Sequence, residues 1–461
     1  MINRRQFIKN TSLIAAFSGG SFNERTYPVK KAMKNIKIIN TDADFEREKL
    51  VRPFGFKGGY LTELWQVAAK LTASSGLSKT GLATQSVLYG DANLFARHTE
   101  AGGNALMFLV VNKALTLMKQ TPFTDPVMLL DSIFPELVTE AKRLTGSADL
   151  NINFVYNALI SADNAAWLLY AAENGYRTFD EMIPEPYKKG LSFHNKKVAI
   201  MYQVPYGMPV QDLKDAAAAG YFVFKIKTGH PGSQSEMLQK DMEKLSQVHA
   251  ALKDFRTNQT ADGKLIYTMD ANARYERKES VMRYLDHAKK IGAFEQILFY
   301  EEPLVEQNEE NVSDLGVRIG ADESVHDEAA AIRRIEQGYK AMVLKGIAKT
   351  LSMSVKIAKL AAEHQIPCLC ADLTVNPVLI DWNKNLAARV LPFPGIEMGL
   401  METNGDMNYK NWKNMLNYHP SAGASWVQPK NGIFELNDDY YAQSGGIFEP
   451  SAHYNELFNK G

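Results

Sequence analysis

Short apolar runs alternate with stretches of helical periodicity through the middle of the chain, and that alternation predicts an architecture. From Lys197 onward the runs VAIMYQV, YFVFKIK, KLIYTMDAN, QILFYEEP, VRIGADES, KAMVLKG, IPCLCAD and GIEMGL each have the length and the β-branched or aromatic content of a buried strand. Segments of helical spacing separate most of them: Val210 to Ala219, Ser235 to Phe255, Ser280 to Ile291, Asp327 to Gln337, Met353 to His364 and Asn376 to Arg389. Repeated β-α units imply a parallel sheet with right-handed crossovers. Eight such units in about 200 residues fit an α/β fold, a (β/α)8 TIM barrel over residues 191–400. No Gly-x-Gly-x-x-Gly follows a strand and no phosphate-binding P-loop is present, so nothing favours the competing open, doubly wound sheet.

The chain ahead of the barrel has a different grammar. Residues 36–88 mix short apolar runs and turns, and Leu106 to Lys119, Pro126 to Leu144 and Ile152 to Asn174 have helical spacing. This predicts an α+β capping domain over residues 36–190. Arg52 to Tyr60, RPFGFKGGY, is rich in glycine and aromatics and reads equally as a mobile loop with an adhesive tip or as a plain connection. The Asn-, Tyr- and Gly-rich residues 401–461 do not continue the β-α repeat and are expected to return to complete the cap.

Composition narrows the classes. The 461 residues are 45% hydrophobic and 23% charged, with Lys+Arg and Asp+Glu both at 52, and this zero net charge argues for neither nucleic acid nor an anionic membrane as a partner. No run of 18 or more apolar residues occurs, so no membrane span is expected. The only cysteines, Cys368 and Cys370, read as two core thiols on one face of a strand rather than as a disulfide or metal pair. The N-terminus, Asn3-Arg4-Arg5-Gln6-Phe7-Ile8-Lys9 before the apolar stretch Leu13 to Phe17, resembles a twin-arginine export signal over residues 1–30. It predicts an exported, periplasmic protein; without a working signal the protein would be cytoplasmic.

Candidate chemistry gathers at the strand ends. Lys225 and Lys227 are two apart on the second strand and therefore face the same side, where two crowded cations would lower each other's pKa and ready one of them to act as a base. The third strand ends in Asp270-Ala271-Asn272, the fourth in Glu301-Glu302-Pro303, the fifth in Asp322-Glu323-Ser324, the sixth in Lys345-Gly346, the seventh in Asp372, and the eighth in or near Glu397 and Glu402. In such a barrel, chemistry sits at these ends. Three successive strands offering carboxylates to one mouth suit Mg2+, a hard ion that prefers oxygen ligands; no His or Cys stands there for zinc.

The motifs FKIK, YTMDAN, YEEP, ADES and VLKG, in this order, resemble the enolase superfamily in its mandelate racemase/muconate-lactonizing-enzyme branch. ALISADNAAWLLYAAENG resembles the helix that closes that family's capping domain. The resemblance implies one Mg2+ held by Asp270, Glu301 and Asp322, with Lys227 and Lys345 as acid/base groups on opposite faces of a small-molecule carboxylate. Lys225 would tune Lys227 and touch the substrate carboxylate. Asn272, Glu323 and Asp372 would support these groups or the substrate, with Glu323 turned toward Lys345, and RPFGFKGGY would occupy the place of the closing loop. The implied activity is abstraction of the proton α to a carboxylate through an enediolate, in a racemase or epimerase of an amino-acid derivative or dipeptide. Dehydration or cycloisomerisation, as in o-succinylbenzoate synthase-like or muconate-lactonizing members, is the alternative within enzymes, and a non-catalytic carboxylate-binding protein the alternative outside them. A homo-oligomer is expected. Departures from the branch are the absence of a histidine on strand seven, of Gly-Gly after Lys345, and of Asp-x-Asp in GIEMGLMETNGD.

Overall fold

The structure, a computed structural model, describes residues 33–459. The export signal expected over residues 1–30 lies outside them. The cap begins with a three-stranded antiparallel sheet of β1 (Ile38–Phe56), β2 (Gly59–Ala73) and β3 (Ser78–Gln85), in that order. RPFGFKGGY is the tip of the β1–β2 hairpin rather than a loop, with Phe56 paired to Gly59. Lys57 and Gly58 both take positive φ, 48° and 75°, the backbone that a two-residue turn between right-twisted strands requires.

Of three long helices, Ala92–Gln120 and Ile152–Asn174 cover the sheet and Pro126–Thr145 packs on those two. Ala92–Gln120 starts earlier than its periodicity suggested, because a kink at Thr99 joins a preceding turn to it. Pro126–Thr145 is capped by Asp125, and Ile152–Asn174 stops at the left-handed Gly175. Among the described residues, Ala92–Gln120 is the one helix long and apolar enough to cross a membrane, and half of that stretch is buried inside the protein. The alanine-rich Ile152–Asn174 is buried along almost its whole length. Asp163 on it accepts hydrogen bonds from the backbone N–H and hydroxyl of Ser352, at the start of a barrel helix, which joins cap to barrel.

Eight parallel strands then follow: β4 (Lys197–Val204), β5 (Val223–Lys227), β6 (Ile266–Asp270), β7 (Ile297–Glu301), β8 (Ile319–Ala321), β9 (Ala341–Leu344), β10 (Cys368–Cys370) and β11 (Gly399–Glu402). β11 pairs with β4 and closes the barrel. Residues on β5, β6 and β9 are buried throughout, as expected of strands enclosed on both faces. Cys368 and Cys370 are free, buried thiols. After β11 the chain touches both halves. Its strand β12 (Ile433–Glu435) runs antiparallel to β4. Tyr409 bridges to Leu50 of the cap, and His453 bonds Glu46.

Candidate active site

The register of the parallel strands sets the site. Lys227 lies beside Asp270, and Asp270 beside Glu301, each at the C-terminal end of its strand. Alternation along β5 then aims Lys225 and Lys227 at the same interior space, and both ammonium groups reach Asp270, at 3.0 and 2.5 Å. Lys225 lies deeper, 2.9 Å from Glu301 and 3.0 Å from Glu402, and is 1% exposed. Lys227 also donates to Asn272 Oδ1 at 3.2 Å. Lys345, at the end of β9, donates to Asp322. All nine residues singled out from the sequence, Lys225, Lys227, Lys345, Asp270, Glu301, Asp322, Asn272, Glu323 and Asp372, meet at this end of the barrel and are buried.

Two details differ from expectation. Lys225 is not depressed. Burial would lower Lys225, but Asp270, Glu301 and Glu402 outweigh it and hold its pKa well above the ordinary lysine value. Lys345 is likewise raised, burial being outweighed chiefly by Asp322. Glu323 accepts a hydrogen bond from Asn272 Nδ2 at 2.9 Å and lies 3.6 Å from Lys57 on the hairpin tip, so it acts on Lys345 through its charge and not through a direct bond.

The carboxylates are not alike. Burial raises Asp270, but Lys225 and Lys227 overcome it and hold its carboxyl far below the usual range; Lys345 and Lys349 do the same for Asp322. Glu301 goes the other way, raised well above its ordinary value by burial and by Asp270. Glu302 turns out of the mouth. It accepts the backbone N–H of Asp322 at 2.6 Å and the hydroxyl of Ser324 at 3.0 Å, and burial pushes it up to about 7. Asp372 is also pushed up to about 7, by burial and then by Glu402.

Sequence reasoning left several members outside the chosen set. The sequence offers Glu402 only as one of two acids near strand eight; the other, Glu397, lies in the turn before β11, where its carboxylate accepts the N–H of Gly395. Lys349 donates to the carbonyls of Asp322 and Val325 and stands 3.2 Å from Asp322 Oδ1. Tyr89 of the cap places its ring 4.7 Å from the Lys345 ammonium. Gln203 and Asn404, joined by a 2.7 Å hydrogen bond, also line the pocket. A helical four-residue step from Lys345 marks Lys349; nothing local marks Tyr89, because only the tertiary fold brings it here. Phe54, Phe56 and Leu61 of the hairpin roof a pocket of about 30 Å³, room for little more than a water molecule.

Among the described residues no three His, Cys, Asp or Glu side chains converge as a ready metal cage, since the ammonium groups of Lys225 and Lys345 stand among the carboxylates. The donor chemistry nevertheless fits a divalent cation. Asp322 Oδ1 and Glu402 Oε1 are buried and accept no hydrogen bond, and Glu301 Oε2 has only the ion pair to Lys225. An anionic, all-oxygen set with spare lone pairs suits Mg2+ far better than zinc.

Residues 210–411 match the family model described as enolase C-terminal domain-like. No curated protein matches the chain by sequence. Solved structures similar to it include a mandelate racemase/muconate lactonizing protein from Herpetosiphon aurantiacus, 16% identical, covering 87% of this chain and 96% of that one, with a TM-score of 0.61. A dipeptide epimerase from Enterococcus faecalis V583, complexed with Mg and the dipeptide L-Leu-L-Tyr, is 14% identical, covers 89% of this chain and 99% of that one, and has a TM-score of 0.60. A substrate-liganded L-Ala-D/L-Glu epimerase from Bacillus subtilis is 14% identical, covers 87% and 96%, and has a TM-score of 0.58. Residues 210–411 thus carry an enolase C-terminal domain-like domain, and the chain shares the fold of the mandelate racemase/muconate lactonizing protein and of the dipeptide epimerases.

Proposed function

We propose that the protein is a Mg2+-dependent enzyme that removes the proton α to a carboxylate and returns it, a racemase or epimerase of an amino-acid derivative or dipeptide. One observation carries the reading. Lys227 on β5 and Lys345 on β9 stand four strands apart in a closed barrel of eight, hence on opposite sides of its axis. Asp270, Glu301 and Asp322 line the strand ends between them. A substrate held between two lysines can lose its α-proton to one and gain a proton from the other, which inverts the carbon.

The chain's own residues account for the positioning. Asp270 and Asn272 aim the Lys227 amine, and Asp322 and the Tyr89 ring aim that of Lys345. Lys345, kept protonated by Asp322, is in the state that delivers a proton, and the reverse direction needs it neutral. The hairpin roof keeps bulk water from competing for that proton. Asp270, Glu301 and Asp322 would hold the Mg2+, which would offset the crowded carboxylates and supply positive charge to the substrate carboxylate. Dipeptide substrates are supported by the epimerases among the similar structures. Export through the Arg4-Arg5 signal would put cell-wall dipeptides within reach.

The test is proton NMR in D2O with dipeptides, N-acyl amino acids and other carboxylates, with Mg2+ present. One α-proton signal is expected to vanish without change of connectivity, and Lys227→Ala and Lys345→Ala should each abolish inversion. Full exchange by both variants would sink the proposal. Loss of water from the substrate would point to a dehydratase instead, and binding without exchange to a carboxylate-binding protein.

A further inference from the structure

We propose that Arg274 recognises a second anionic group of the substrate, remote from the reacting carbon, so that the enzyme favours acidic substrates over singly charged ones. The inference rests on the reading of the site as one for carboxylates. Arg274 lies two residues beyond Asn272 and lines a cavity of about 730 Å³ into which Asn272, Glu323 and Lys57 of the site also face. This cavity continues the roofed pocket, since Asn272 and Glu323 line both. The roofed pocket alone is too small for more than the reacting atoms, so the remainder of a substrate extends beyond it; of the two cavities that share lining residues with it, this one is the larger, about 730 Å³ against about 250 Å³ for the one beside Phe54 and Gln203.

The guanidinium is held in place without being neutralised. Two glycines make its slot. A Cβ on Gly229, at φ +78°, would come within 2.8 Å of Arg274 Cγ, and one on Gly58, at φ +75°, within 2.6 Å of Nη1. The stem therefore crosses Gly229 on the loop after Lys227, and the head meets the tip of the hairpin that roofs the site. Arg274 is half-buried, and its guanidinium has no ion-pair or hydrogen-bond partner among the described residues. The nearby acids are already committed. Glu306 is bonded to His326 at 2.6 Å, and Glu323 to Asn272. Asp91 accepts the N–H groups of Leu94 and Asn151, and Asp149 is exposed to solvent. A pre-positioned guanidinium with free donors is suited to a planar carboxylate, and ordering it in advance lowers the entropic cost of binding. Because its head touches Gly58, beside Lys57, an anion bound there would also tie the hairpin to the barrel.

The test is isothermal titration of the full chain, in Mg2+, with glutarate and with butyrate at millimolar concentrations. Glutarate is expected to bind about tenfold more tightly, Arg274→Gln to erase that preference, and Arg274→Lys to keep part of it. Thermal melts of both variants establish that they are folded. Equal binding of the two probes, no measurable binding of either, or an unchanged preference in Arg274→Gln would overturn the assignment. These probes read binding alone. Failure here would leave α-proton abstraction standing, and failure of the exchange test would leave this recognition standing.

Discussion

The Glu402 carboxylate, at the end of β11, accepts from the Lys225 ammonium at 3.0 Å and, with the same oxygen, from the backbone N–H of Asp372 at 3.3 Å. One acid thus compensates a fully buried lysine while crowding a second buried acid. The crowding has a pH signature. Asp372, raised to about 7 in the folded protein by burial and then by Glu402, prefers its proton when folded. Its contribution to stability is complete below the unfolded value near 3.8 and is lost as pH rises through about 7. Wild type should therefore lose on the order of a few kcal/mol between pH 4 and 7 relative to Asp372→Asn. Glu402→Gln should shrink that difference, because it removes the repelling charge. Urea unfolding at several pH values reads both, and parallel wild-type and Asp372→Asn profiles would refute the account.

Glu301 should show the cost of a carboxylate with too little positive charge nearby. It is fully buried, beside Asp270 and raised by both burial and that neighbour. Without added metal, Glu301→Gln is expected to leave the melting temperature unchanged or to raise it. Mg2+ should raise the wild-type melting temperature by several degrees, since saturation at 100 times the dissociation constant contributes about 2.7 kcal/mol. The variant should lose most of that shift. A wild-type protein indifferent to both Mg2+ and EDTA would remove the metal from the picture.

Much of this could be read from the chain, for a physical reason. Barrel strands are buried on both faces, so each stands out as an apolar run, and its functional residue follows at the end of the run, as in YTMDAN or ADES. The hairpin tip was harder. Glycines and aromatics permit a loop, and only the pairing of Phe56 with Gly59 shows that two long strands continue into it. YEEP could not by itself show which acid faces inward. The structure answers through the backbone, since Glu302 takes a positive φ of 36° and swings behind Asp322 while Glu301 ends β7 pointing in. Tyr89 and Gln203 were invisible because they reach the site from elements with no chemical motif of their own.

Tyr89 separates two roles that one side chain combines. Its ring lies 4.7 Å from Lys345 and 5.1 Å from Lys57, while its buried hydroxyl has no hydrogen-bond partner. Tyr89→Phe keeps the ring and removes an unsatisfied group, so stability should hold or rise by about 1 kcal/mol, with little change in proton exchange. Tyr89→Leu removes the face on which both ammonium groups rest and should cost about 2 kcal/mol as well as activity. A large loss of exchange in Tyr89→Phe would instead place the hydroxyl in the reaction.

Far from the site, Asp381 anchors the C-terminal segment to the barrel. Its two oxygens take Lys384 Nζ and His419 Nε2, both at 2.9 Å, and all three side chains are buried. Lys384 also donates to the Trp426 carbonyl at 2.8 Å and lies 4.1 Å from the Phe434 ring. Burial pushes the Lys384 pKa down, and Asp381 opposes that shift. Removing one partner leaves the other charge buried, so Asp381→Asn should destabilise by about 3–5 kcal/mol. The folded lysine would then favour its neutral form still more strongly. The deficit should therefore narrow as pH rises toward the ordinary lysine range, the opposite direction to Asp372. Adding Lys384→Met to Asp381→Asn should recover part of the loss, because the stranded charge is gone. If the double variant is no more stable than Asp381→Asn alone, the hydrogen bond to His419, and not the charge on Lys384, holds this segment in place.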